Sequence, residues 1–334
     1  MRIVVTGATG NVGTALLRRL ASEPDVQVHG ISRRPPAPVP PYDVEWTPVD
    51  LSRDGAEEPL TDVFRGADAV VHLAWRIQPA HDADTLYRTN VAGSERVFAA
   101  VREAGVPHLV HLSSVGAYSP AVKSRTVDEH WPTCGVSSSL YSVHKADVER
   151  RLDRVEREDA GLTVSRLRPA LILQPDAAAE IKRYFLGPLV PSALFRVTLP
   201  LLPLPKQLVL QFVHADDVAD ALALVLRRRL SGALNLAADP VVTPQVLAEV
   251  LRTRHVPLPP SVLRGLASLT WRLRLQPTSP GWVDLALATP VLDTSRARDE
   301  LGWVPRHEAR RVLSDLVDGM ARREGEPASP ALRP

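Results

Sequence analysis

Cysteine is almost missing from this chain. One, Cys134, stands in 334 residues, so no disulfide forms within the chain, which fits a reducing compartment. Net charge is nearly missing too. Forty Lys and Arg against 38 Asp and Glu leave +2, which gives no strong pull toward nucleic acid or an anionic membrane. No apolar run reaches the ~18 residues of a membrane span. The stretch Leu199 to Leu210 comes nearest, but three prolines and a lysine interrupt it. From Met1 the chain enters a strand pattern directly, with an apolar run too short for a signal peptide. No internal repeat is visible. A soluble, cytoplasmic protein without a nucleic-acid or membrane partner is therefore expected. What is present is an ordinary globular balance, 45% hydrophobic and 23% charged, in a length that suits roughly two domains.

The most informative stretch is the first. Ile3, Val4 and Val5 form a short β-branched run suited to a buried parallel strand. Val12, Leu16 and Leu20 then recur at helical spacing. Between them Gly7, Gly10 and Gly13 stand three apart. A strand, a glycine-rich turn and a helix N-terminus make an anion site, because glycine lets a pyrophosphate approach the backbone and the helix end offers unpaired N–H groups.

Further strands are expected at Val26 to Ile31, Val44 to Val49, Ala69 to Ala74, His108 to Leu112, Leu162 to Leu167 and Ala233 to Ala237, with Phe212 to His214 returning to the same sheet. Helices are expected at Tyr87 to Ala104, about Leu140 to Arg157, and Asp216 to about Arg229. This alternation predicts a parallel sheet covered on both faces, with ligands beyond the carboxyl ends of its strands. The second strand ends at Ser32-Arg33-Arg34. A hydroxyl and two guanidinium groups, where an acid would bind the free hydroxyl of NAD, suit the 2′-phosphate of NADP. Asp50 stands after the third strand, where it either accepts from the adenine amino group or caps the next turn. His72 reads as a packed core residue. Asn90 lies inside a helix, where it suits either a solvated position or a kink that exposes a carbonyl.

Ser114 lies at a strand end, and Tyr141 and Lys145 are four apart near a helix start, on one face. A tyrosine titrates near ~10 and is a poor base at neutral pH. A lysine ammonium beside it stabilises the phenolate and lowers that value. A serine hydroxyl can hold the substrate oxygen while the tyrosine moves its proton, and hydride transfer to a nicotinamide completes the chemistry.

With these residues in place, the chain resembles the extended short-chain dehydrogenase/reductases of the NAD-dependent epimerase/dehydratase family. The matching pieces are Thr6-Gly7-Ala8-Thr9-Gly10-Asn11-Val12-Gly13, Asp50-Leu51, His72-Leu73-Ala74, Asn90-Val91-Ala92-Gly93, the run from Ser113 to Tyr118, Tyr141 to Lys145, Arg168-Pro169-Ala170, Val213 to Ala219, Asn235-Leu236-Ala237, and Asp293 to Pro305. The resemblance implies an α/β fold: a Rossmann-type doubly wound parallel sheet with a small, mainly helical C-terminal substrate domain. Residues 1–175 and 212–240 would bind the dinucleotide, 176–211 and 241–322 the substrate, and 323–334 would be a disordered tail. It implies that Asn11 and Val12 line the pyrophosphate turn with Thr9, that Asp50 and Leu51 flank adenine, that Leu73, Ala74, Trp75, Asn90 and Leu112 lie along the cofactor, and that Pro169 and Ala170 flank the nicotinamide. Asp217 would be a structural helix-start acid. A homodimer through the helices near residues 87–104 and 140–157 is also implied.

The departures narrow the reaction. Nucleotide-sugar 4,6-dehydratases of this group carry an Asp-Glu pair after the active-site hydroxyl residue; here Val115 and Gly116 stand there, which disfavours dehydration. No cysteine stands near Ser114, which disfavours cysteine-assisted epimerisation. The segment Arg183 to Leu210, rich in Leu, Pro, Val and Phe, is expected to wall a pocket for a small apolar substrate. The reading is an NADP-linked enzyme interconverting a carbonyl and an alcohol, with Ser114, Tyr141 and Lys145 catalytic and no metal. The alternatives are a nucleotide-sugar 4-epimerase with tightly bound NAD and, from another class, an NADP-sensing binding protein.

Overall fold

The computed structural model describes residues 1–78, 81–187, 189–197 and 200–334. Pro188 and Leu199, both in the expected pocket wall, lie outside the described residues.

Seven strands form the main sheet: β1 (Arg2–Thr6), β2 (Gln27–Ser32), β3 (Glu45–Pro48), β4 (Ala69–His72), β5 (His108–Leu112), β6 (Thr163–Pro169) and β7 (Gly232–Leu236). Their order is β7-β6-β5-β4-β1-β2-β3, and every pair is parallel. The order reverses between β1 and β4, and such a switch point is where open α/β sheets hold ligands. Alternation along β1 divides the core. Ile3 and Val5 pack with the helices Asn11–Leu20 and Ala215–Arg228, while Val4 faces the helices Glu57–Phe64, Gly93–Glu103 and Leu140–Glu158. Both faces of the sheet are therefore covered, as its β-branched strands require.

A second sheet joins Leu171–Leu173, Leu210–His214 and Ala238–Val242, roofed by the helix Ala309–Arg322. Phe212 to His214, expected to return to the main sheet, belongs here instead. It pairs in parallel with Leu171–Leu173, because the chain leaves the main sheet after Pro169 and offers a new edge. Only Val213 points back into the larger core.

The expected helix from Tyr87 to Ala104 is three pieces: an α-turn Ala83–Tyr87, a π-helical turn Arg88–Ala92, and the helix Gly93–Glu103. The tail also differs from expectation. In place of disorder, Ser329 and Leu332 are fully buried. Ser329 accepts from the backbone of Ala331 and Leu332 and donates to the Thr9 carbonyl at 2.7 Å. A polar turn docked on the glycine loop satisfies its own backbone groups. No helix among the described residues is long and apolar enough to cross a membrane.

Candidate active site

The glycine loop fits a dinucleotide by what each glycine lacks. Gly7 sits at φ +71°, and a Cβ there would press on the Ala74 backbone at 2.6 Å. Glycine alone allows the turn and the close passage of the chain just after β4. Above Gly10 a Cβ would meet nothing nearer than 3.4 Å, so that face is open to a ligand. The helix Asn11–Leu20 begins at Gly10 with no side-chain cap and no acid in its first turn, leaving its N–H groups and dipole to an anion. Asn11 is otherwise engaged: its carboxamide donates to Ile172 O and accepts from Gln174.

At the end of β2, Ser32 donates its hydroxyl to Arg34 O at 2.9 Å. Arg33 and Arg34 are exposed and form no ion pair among the described residues. Burial works against ionisation of Asp50, but hydrogen bonds from the Ser52 hydroxyl and backbone, helped by Arg33, hold its carboxyl below the usual range. Those bonds, at 2.7 and 3.0 Å, make Asp50 a cap for the turn it begins. Leu51 is buried, with its carbonyl accepting from Arg96.

Asn90 is not solvated, nor does it present a free carbonyl. Its side chain accepts from Arg76 N at 2.7 Å and donates to Arg76 O at 2.8 Å, while its own carbonyl takes the Ser94 hydroxyl. The π-turn thus places Asn90 to fix the loop after β4, including Ala74 and Trp75. His72 is a packed core residue, bonded to Thr6 and Ser94, and burial pushes it down to about 3.

Ser114 and Tyr141 lie side by side: a side chain on Gly116 would meet Tyr141 Cε1 at 2.8 Å and Ser114 Oγ at 3.4 Å, and Ser114 accepts from Gly116 N at 3.0 Å. Burial pushes the Tyr141 phenol up to about 12, only partly offset by Ser114. The expected lowering by lysine is not seen, because Lys145 directs its ammonium elsewhere. It donates to Leu112 O at 2.9 Å and lies 3.5 Å from the Trp75 ring centre. Burial brings Lys145 down to about 7, with Glu149 opposing. The Trp75 indole N–H is buried without a partner, an unspent donor beside Lys145 that suits a cofactor's hydroxyl.

Aromatic rings close the site. Trp282, on the helix Pro280–Ala288, lies 4.8 Å from Tyr141, Trp75 lies 6.0 Å from it, and Phe185 packs on Trp282 at 5.0 Å. The cavity at this cluster is lined by Tyr141 and Trp282 together with Arg76, Leu86, Asn90 and His144; a separate small cavity is lined by Val115, Ala170, Leu210, Gln211 and Val291, and Ala170 is fixed there by its N–H to Leu236 O. Pro169 ends β6 next to it. The expected apolar wall is only partly realised: Phe185 packs on Trp282, Val209 and Leu210 line the separate cavity, and Leu189, Leu194, Val197 and Leu201 are exposed. Arg183 and Arg196 donate to backbone carbonyls of the C-terminal region, so neither is free for a diphosphate, and Lys206 is exposed.

Beneath Lys145 lies a buried ionic cluster. Glu149 receives Arg168 at 2.8 and 2.9 Å, Arg166 at 3.0 Å and Ser113 at 2.6 Å. Burial alone would raise Glu149, yet Arg168 and Arg166 hold it at about 2. Arg168 also supports Tyr118, whose hydroxyl donates to Asn235. The signal for Glu149 was available as a third residue at the Tyr141, Lys145 spacing; nothing local in the sequence pointed to Trp282.

The sequence profile of the NAD dependent epimerase/dehydratase family matches residues 3–237. The chain belongs to that family. Among curated relatives, an uncharacterized protein of Mycobacterium tuberculosis is 28% identical over 95% of this chain. The chain spans only 30% of the length of that relative. An L-arabinose 1-dehydrogenase (NAD(P)(+)) of Haloferax volcanii is 31% identical over 54% of this chain and 70% of its own. A 4-hydroxy-2-methyl-3-oxo-4-farnesyl-3,4-dihydroquinoline-1-oxide ketoreductase of Stigmatella aurantiaca is 24% identical, covering 95% and 96%. Among solved structures, the UDP-glucose 4-epimerase of Thermus thermophilus in complex with NAD superposes with a TM-score of 0.68 at 23% identity, covering 96% of this chain and 99% of that one. This family member thus shares its fold with nucleotide-sugar epimerases, and its curated relatives include a dehydrogenase and a ketoreductase.

Proposed function

We propose that this family member is an NADP-linked oxidoreductase that interconverts a carbonyl and an alcohol on a small, largely apolar substrate. The observation that carries the reading is the juxtaposition of Ser114 and Tyr141 across Gly116, within walls of Trp75, Trp282 and Phe185. Bound NADP would exchange the hydride with the substrate carbon. Tyr141, held protonated, gives its phenolic proton to the carbonyl oxygen in the reductive direction, and Ser114 holds that oxygen by its hydroxyl. Lys145 supplies positive charge one helical turn below, anchored on Leu112. The glycine loop and the helix Asn11–Leu20 would hold the pyrophosphate, and Arg33 the 2′-phosphate.

The apolar rings, and the engagement of Arg183 and Arg196 with backbone carbonyls, support an apolar substrate over a sugar diphosphate. The full-length match to a ketoreductase whose named substrate carries a farnesyl group points the same way. In this reading residues 176–211 and 241–322 form the substrate side, and the protein is a homodimer through residues 87–104 and 140–157, which sedimentation velocity checks.

The test uses dialysed protein with NADPH or NADH, a panel of apolar ketones, and UDP- and dTDP-sugars. Consumption of NADPH with ketones is the expected result. Sugar interconversion driven by NAD that survives dialysis would replace this reading with the epimerase. Cofactor binding with no turnover of any substrate would favour a binding protein.

A further inference from the structure

The small net charge hides a local imbalance. Between Glu249 and Asp284 the chain carries Arg252, Arg254, Arg264, Arg272 and Arg274 and no acidic residue. Arg264 is paired with Asp284 at 2.8 Å. The other four form no ion pair among the described residues, whereas arginines elsewhere on the surface commonly do, as Arg310 does with Glu249. The same segment holds the helix Pro260–Arg272, none of whose residues is fully buried. Val262, Leu266, Leu269 and Leu273 follow one another at steps of four, three and four, which aligns them on one face. They are 45, 54, 56 and 60% exposed. Leu263, Ala267 and Trp271 take the inward side, where Trp271 stacks on His81 at 4.2 Å. On the strand pair Leu201–Leu204 and Arg254–Pro257, Leu201 and Val256 are exposed as well.

An exposed leucine stripe flanked by unpaired arginines and free of acids has the pattern of a helix that lies in a lipid interface. We infer that the helix Pro260–Arg272 docks this protein peripherally on an anionic lipid surface, its leucines entering the acyl boundary and Arg252, Arg254, Arg272 and Arg274 meeting headgroup phosphates. Charge complementarity selects this occupant: a second copy would bring its own four arginines against these. The Arg264–Asp284 pair joins this helix to the one that carries Trp282, so docking would set the mouth of the site close to the lipid. The inference goes beyond the reaction proposed above, and its readout involves no turnover.

The experiment is co-sedimentation of the full chain with vesicles of phosphatidylcholine alone and of phosphatidylcholine with phosphatidylglycerol in equal parts. Binding is expected to the anionic vesicles at low salt and to weaken as salt is raised. Leu266→Ser with Leu269→Ser should lower the partition at least about tenfold. Arg272→Gln with Arg274→Gln should bring anionic vesicles down toward the neutral ones. Both variants alter exposed positions, and an unchanged melting temperature checks their fold. Failure to bind either vesicle at low salt would overturn the inference, as would wild-type binding by the leucine variant. A self-association in solution that the leucine variant abolishes would assign the face to a second copy and overturn it equally.

Discussion

The ring of Tyr141 occupies the space that a side chain at Gly116 would need. A Cβ on Gly116 would stand 2.8 Å from Tyr141 Cε1 and 3.4 Å from Ser114 Oγ. The glycine lies in a 3-10 turn, Val115–Ala117, that begins at Ser114 and is closed by the Ser114 hydroxyl. Its lack of a side chain is what lets a ring from one helix reach a hydroxyl at the end of β5.

Gly116→Ala should therefore impair turnover without touching the cofactor site. A displacement of about 1 Å at a reacting group costs about a hundredfold in rate. The expected result is a kcat lowered by about that factor with NADPH affinity unchanged. In a Tyr141→Phe background the same substitution should cost little more, because the two changes remove one function. Additive losses would separate Gly116 from Tyr141.

Arg33→Ala should weaken NADPH binding and spare NADH. A charge-assisted hydrogen bond contributes about 1.5–3 kcal/mol, so the loss is about tenfold to a hundredfold for NADPH. Ser32, whose hydroxyl is turned to Arg34, would contribute less than Arg33. Titration of both cofactors by fluorescence checks this. Equal losses would mean that Arg33 stacks on adenine instead, and a wild-type preference for NADH would contradict the cofactor assignment.

Glu149 makes stability depend on acid. Its folded value of about 2 lies below the ordinary 4.5, so ionisation favours the folded chain. That contribution, about 3 kcal/mol, is complete above about pH 4.5 and is lost as pH falls toward about 2. Glu149→Gln leaves Arg168 and Arg166 short of a carboxylate and should lower stability at neutral pH by about 3 kcal/mol or more. The gap from wild type should close on acidification. Urea unfolding of both proteins across this pH range measures it, and a constant gap would contradict the account.

What the sequence revealed and what it hid divide by distance along the chain. The glycine loop, the helix after it and the Tyr141–Lys145 spacing are local patterns, and periodicity exposes them. Which sheet Phe212 to His214 joins depends on the edge left by Leu171–Leu173, far earlier in the chain. The tail looked disordered because it is polar and proline-containing, yet one serine hydroxyl serves its turn and reaches Thr9. The site's aromatic walls and the fit of Tyr141 over Gly116 arise only when distant segments meet. The tyrosine's raised value is of the same kind: burial by distant segments raises it, and the pull of Leu112 O and Trp75 on the Lys145 ammonium cannot be read from spacing.

The measurement that bears most directly on the central claim is single-turnover reduction of an apolar ketone by NADPH-loaded protein, wild type against Tyr141→Phe. The phenylalanine keeps the packing against Trp75 and Trp282 and removes the proton. The account predicts unchanged NADPH binding and a hydride-transfer rate lower by about 10²–10⁴-fold. Transfer at the wild-type rate in the Tyr141→Phe protein would contradict it.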